Sequence, residues 1–163
     1  MKRGIIAARF GLLLALSLVL SYLESLVPLS FSVPGVKLGL PNLVIIFALY
    51  KLGKREAIIL SLLRVLLATL LFGNILTMLY SASGAIFSFL AMCGLQSSGK
   101  FGCTGVSVAG AVAHNCGQIL AAVLLLETSR LAWYLPVLCF SGVAAGICIG
   151  LLSALLIRRI KIN

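Results

Sequence analysis

Tyr134–Ile157, YLPVLCFSGVAAGICIGLLSALLI, holds no charged residue and is followed at once by Arg158 and Arg159. About 20 apolar residues are what a helix needs to cross the hydrocarbon core of a bilayer. Basic residues at one end are how such a helix is held on one side. Outward from this stretch the pattern recurs. Apolar runs predict spans over 4–26, 38–50, 57–72, 75–95 and 104–126, and the sixth is 134–157 itself. Hydrophobic residues make up 62% of the 163 residues, more than a soluble domain of this size can hide. The reading is an all-α membrane protein: a bundle of about six transmembrane helices, forming a single transmembrane domain over 1–163.

The net charge of +10 does not point to nucleic acid, because the basic residues cap apolar runs instead of lining one amphipathic face. With both termini placed in the cytoplasm, ten of the 13 Lys and Arg fall on that side: Lys2, Arg3, Arg9, Lys51, Lys54, Arg55, Lys100, Arg158, Arg159 and Lys161. Only Lys37 and Arg130 fall outside, and Arg64 lies within a span. This bias predicts a multi-pass protein of the cell membrane with cytoplasmic ends. Lys2 and Arg3 before an apolar run imitate a signal peptide. The run is longer than a typical h-region and lacks an A-x-A site, so it reads as the first span. Trp133 and Tyr134 fall where an interfacial aromatic belt is expected.

Within the spans, polar residues are few and therefore informative. Arg64 lies roughly 12 Å into span three at ~1.5 Å per residue, where a charge must face the bundle interior and find partners. His114 and Gln118 are four apart and share a face of span five, with Asn115 beside it. Asn42 sits in the first turn of span two, below Lys37. Together Lys37, Asn42, Arg64, His114, Asn115 and Gln118 form a candidate substrate-binding set, a positive pocket for an anionic or heteroaromatic ligand. The alternative is a network in which Arg64, His114 and Gln118 satisfy one another and nearby carbonyls.

Small residues recur every fourth position in three spans: Ala7, Gly11 and Ala15; Gly105, Ala109, Ala113, Gly117 and Ala121; and Gly142, Gly146, Gly150 and Ala154. In lipid, close backbone approach through small residues drives helix association. For spans five and six this reads as internal packing. For span one, internal packing and docking of a partner helix stay open.

Much chemistry is excluded. There is no Asp, and the only carboxylates are Glu24, Glu56 and Glu127. One His without a neighbouring carboxylate is no metal site. The five Cys have no CxxC spacing and read as packing residues. Gly94–Lys100 imitates the start of a phosphate loop, but Phe101 stands where Ser or Thr must hold magnesium. No catalytic residue, cofactor or metal is expected.

Two stretches carry a resemblance. Val33-Pro-Gly-Val-Lys-Leu-Gly-Leu-Pro-Asn42 resembles the P-G-x-K-L-G-L-A-N pattern of the Gx transporter family, with Pro41 replacing the Ala. Ala113-His-Asn-Cys-Gly-Gln118 resembles its H-N-x-G-Q stretch. That family is also labelled heptaprenyl diphosphate synthase component I. It is similar to the S components, the substrate-binding subunits, of energy-coupling factor (ECF) transporters. The resemblance implies an S-component-like fold and a subunit that captures a small molecule for a multi-subunit importer. It also implies that Ala7, Gly11 and Ala15 dock on a membrane coupling subunit, with ATPases supplied in trans and the loop 27–37 covering an outward-facing pocket. Two alternatives stand beside it: a membrane component of a flavin or quinone electron-transfer system, and an accessory subunit of polyprenyl diphosphate synthesis. A catalytic role in the latter is excluded, because magnesium-diphosphate is held by clustered carboxylates.

Overall fold

Every residue from Val44 to Leu49 is buried, within a helix only 12 residues long. A helix that is apolar on all faces has no side to give to solvent and becomes the interior of a bundle. The computed structural model describes residues 2–26 and 38–160. Its helices are α1 (Lys2–Leu26), this central α2 (Leu40–Lys51), α3 (Lys54–Phe72), α4 (Ile75–Ser98), α5 (Cys103–Leu126) and α6 (Leu135–Arg159), with a 3-10 segment, Ser129–Tyr134, leading into α6. No strand occurs among the described residues. Helix α2 packs on α1, α3 and α6; α1 also packs on α3, α3 on α4, α4 on α5, and α5 on α6.

Local sequence sets the element ends. Gly53 turns α2 into α3 at φ +124°, a conformation that side-chain-bearing residues avoid. Helix α3 then begins at Lys54, three residues ahead of its apolar run, with Glu56 in the first turn, where a carboxylate suits the positive helix end. Asn74 and Thr77 close a reciprocal capping box on α4, satisfying backbone donors that no helical carbonyl reaches. Helix α4 runs on through Gln96–Ser98, a segment expected as loop. There the Ser97 and Ser98 hydroxyls donate back to the Cys93 and Leu95 carbonyls.

The core fills one half of the bundle. Val44, Ile45, Ile46, Ala48 and Leu49 of α2 meet Leu60, Met92, Val106 and Ile149 from α3, α4, α5 and α6. This is the end that carries Lys51, Lys54, Arg55, Arg158 and Arg159, and it is called here the basic end. The outer faces are the reverse of a soluble protein's. Leu12, Leu70, Leu90, Leu124 and Phe140 are each between 64% and 80% exposed, apolar surface that water does not tolerate and lipid does. Four helices, α1, α4, α5 and α6, are long and apolar enough to cross a membrane. The chain is a multi-pass membrane protein.

Glycines let the helices touch. A Cβ on Gly146 would lie 2.7 Å from Val108 Cα, and one on Gly150 would lie 2.6 Å from Thr104 Cα. The small-residue line of α6 therefore packs on α5, as expected. The α5 line does not behave as one face. A Cβ on Gly117 would lie 3.0 Å from the Ser83 carbonyl and 3.1 Å from Gly84 Cα, both on α4, whereas one on Gly105 would meet only Phe101. The side of α5 against α6 is instead marked by Thr104, Val108, Ala111 and Asn115. The reason is geometric. At ~3.6 residues per turn, each step of four advances about 40°, so a five-residue line winds through about 160° and cannot serve one neighbour. On α1, by contrast, Ala7, Gly11 and Ala15 are all exposed, and a Cβ on Gly11 would meet nothing within 4 Å.

Candidate binding cavity

Helix α2 is too short for the bundle it occupies. Its 12 residues span about 18 Å at ~1.5 Å each, against the ~30 Å of a hydrocarbon core. It is tied at the basic end, where Gln96 Nε2 donates to the Leu49 carbonyl at 3.2 Å. The described helices leave a hollow beyond its N-terminus. A cavity of about 320 Å³ lies there, lined by residues of all six helices, with Leu38, Gly39, Pro41 and Asn42 at the start of α2 among them. That volume is at the lower end of the range for small-molecule sites.

Arg64 of α3 supplies the cation. The residue lines the cavity and is half-buried overall. Its Nε, however, is fully shielded and has no hydrogen-bond partner among the described residues. A guanidinium N–H left unmatched inside a membrane protein is costly.

Glu24, near the end of α1, supplies the opposite charge. The residue lines the same cavity, its charge acts on Arg64 through space, and its Oε1 accepts the Gly39 N–H at 2.6 Å. That bond ties α1 to the entry of α2. Among the described residues the lining therefore includes a carboxylate beside the cation of Arg64, where the sequence led us to expect a positive pocket. Sequence reasoning left Glu24 out of the binding set, although the first predicted span, 4–26, contains it. The signal was present: Ser17, Ser21 and Glu24 fall at spacings of four and three on one face, and Ser17 is buried while Ser21 and Glu24 line the cavity.

Of the other expected residues, Asn42, His114 and Asn115 line the cavity. Asn115 Nδ2 donates to the Leu138 carbonyl, so this amide also ties α5 to α6. The His114 ring lies over Gly84 of α4, whose added Cβ would come within 2.9 Å of its Cε1 and Nε2. Gln118 is placed differently. It is not among the lining residues, and its Cγ would lie 2.9 Å from that same Cβ. The absent side chain of Gly84 lets α4 close on α5, so the face shared by His114 and Gln118 is largely helix interface. Lys37 and the loop 27–37 lie outside the described residues. Ser81, Ser107, Thr69 and Thr77 add hydroxyls to the wall, and Ala68, Ala111 and Ala145 add apolar surface. No group of three or more metal-ligating side chains occurs among the described residues. Among the described residues the wall thus offers a cation, a carboxylate, amides and hydroxyls beside apolar surface.

A family model described as heptaprenyl diphosphate synthase component I matches residues 13–156. No curated protein and no solved structure matches the chain.

Proposed function

Because the chain belongs to the heptaprenyl diphosphate synthase component I family, we propose that it is a partner-dependent membrane subunit that captures a small molecule, in the manner of an S component of an energy-coupling factor importer. The observation that carries this reading is the cavity lined by residues of all six helices, Arg64 among them. A capture subunit needs a water-accessible hollow of ligand size and a preformed charged anchor, and it needs no catalytic group. Arg64, Asn42, His114 and Asn115 contact the solute in this reading, with Arg64 holding an anionic group. Gln118 supports His114 from the helix interface.

The distribution of Lys and Arg puts the basic end in the cytoplasm of the cell and the cavity toward the outside. The exposed Ala7, Gly11 and Ala15 of α1 are the docking line for a membrane coupling subunit, and nucleotide hydrolysis is supplied in trans by ATPases. The family description itself favours a second reading, an accessory subunit beside a catalytic prenyl diphosphate synthase. This chain, without a single Asp, would then contribute membrane attachment and no metal-diphosphate chemistry.

Gentle purification of the tagged chain from its native membranes separates the two. A co-purifying multi-span membrane subunit with ATPases, released by Gly11→Leu, is the expected result. Recovery of an Asp-rich soluble prenyl synthase instead would establish the second reading.

A further inference from the structure

A second hollow, of about 140 Å³, lies on the other side of α2. Its lining is wholly apolar and includes Leu13 and Leu16 of α1, Leu43 and Phe47 of α2, and Leu156 and Ile160 at the end of α6. Helices α1 and α6 both pack on α2, and the hollow is a groove over α2 between them. On all three helices the lining gives way, one turn toward the basic end, to a cation on the same face. Arg9 is four residues from Leu13, Lys51 four from Phe47, and Arg159 three from Leu156, spacings that stack side chains along a helix. Arg9 already has an interaction partner in the fold, so Lys51 and Arg159 carry the argument. Carboxylates are scarce at that end. The sequence has three. Glu24 lines the cavity at the opposite end, Glu127 ends α5, and Glu56 lies beside Gly53 on α3, a helix that does not line the groove. The charged side chains beyond the described residues, Lys37 and Lys161, are both cations.

We infer that this groove holds an anionic phospholipid, with an acyl chain along Leu13, Phe47 and Leu156 and the phosphate on Lys51 and Arg159. Basic pockets between membrane helices suit anionic headgroups, and here an apolar slot for a chain adjoins the cations. Phosphatidylcholine fits the slot with the same chains, but its quaternary ammonium is repelled by the residues that would hold its phosphate. A partner helix is a poor occupant. A helix with its side chains is about 10–12 Å across, and helices in lipid meet closely through small residues, whereas this wall is leucine and phenylalanine. The small-residue line of α1 also faces elsewhere. At ~100° per residue, Leu13 and Leu16 lie about 140–200° around α1 from Gly11, so a coupling subunit on that line leaves the groove open.

The test titrates the full chain in detergent micelles and counts bound lipid by native mass spectrometry. Dioleoyl phosphatidylglycerol and dioleoyl phosphatidylcholine share their chains and differ in net charge, and glycerol 1-phosphate carries the anion without chains. Phosphatidylglycerol is expected to bind at least about tenfold more tightly than phosphatidylcholine, a difference of ~1.4 kcal/mol. Lys51→Gln combined with Arg159→Gln should remove most of that preference. Leu16→Trp, at an exposed position on the groove wall, should lower phosphatidylglycerol binding by filling the slot. Glycerol 1-phosphate should not compete. Equal binding of the two lipids by the unaltered chain overturns the inference, and that comparison needs no variant to fold. A preference that survives the paired substitution overturns it too, because the lipid then sits elsewhere. So does competition by glycerol 1-phosphate, which would make the site one for a free anion. A benzophenone side chain placed at Leu16 in membranes should crosslink to lipid, and crosslinking to a partner helix or a second copy instead would also overturn it.

Discussion

Replacing Arg64 by Met should make the protein more stable and less able to hold its solute. The substitution keeps an unbranched side chain of similar length and removes the charge. Arg64 lies ten residues into α3 from Lys54, about 15 Å along the helix at ~1.5 Å per residue. An Arg at the centre of a spanning helix costs about 2.5–3.5 kcal/mol on insertion scales, and here its Nε has no hydrogen bond among the described residues to offset that cost. Attraction to Glu24 returns part of it. The Glu24 carboxylate keeps its bond from Gly39 N–H when Arg64 is gone, so little new penalty appears. A net gain of about 2 kcal/mol is expected, or roughly 4–8 °C in Tm at the 2–4 °C per kcal/mol of a chain this size. Thermal unfolding in micelles can be followed with a thiol-reactive dye on the free cysteines, four of which are only partly exposed in the fold. The parallel measurement is retention of small molecules through purification. A Tm that falls by several degrees with retention unchanged would refute the reasoning, because it would make Arg64 a structural tie.

Gly146→Ala should destabilise the bundle by about 1–3 kcal/mol, since its Cβ meets the backbone of Val108 at 2.7 Å and two helices must separate. Gly11→Leu should leave the melt of the isolated chain unchanged, because the space beside Gly11 is open, while reducing recovery of its membrane partner. The three atoms nearest an added Cβ at Gly84 belong to the side chains of His114 and Gln118, at 2.9 Å. Gly84→Ala should therefore displace the His114 ring and weaken retention more than it lowers Tm. Reporter fusions after Asn163 and within Glu127–Trp133 should give opposite sidedness, and equal sidedness would reverse the assignment of the cavity to the outside.

The helices were legible in the sequence because lipid demands long uncharged runs and leaves the charges at their ends. The brevity of the second run was legible too, but its consequence was not. Only in three dimensions does a 12-residue helix at the centre of longer ones leave a hollow at its N-terminus. Arg64, Asn42, His114 and Asn115 were found by counting residues along the spans, since rarity and depth mark a polar group inside a membrane. Glu24 was missed because a carboxylate near a predicted span end reads as belonging to water. Its spacing from Ser17 and Ser21 carried the correct face. Gln118 was misplaced because sharing a helix face with His114 does not reveal that a glycine on the next helix closes that face. The α5 line of small residues packs internally at Gly117, as read, but it serves no single neighbour, as periodicity of four drifts around a helix with a period of 3.6.

The central claim is that the cavity holds a solute through Arg64. Denaturing equal amounts of purified wild-type and Arg64→Gln protein and comparing the released small molecules by mass spectrometry tests it most directly. The account predicts a compound recovered from the wild type in near-stoichiometric amount and strongly depleted from the variant, with both proteins folded. The same compound at the same level in both, or none in either, would contradict it.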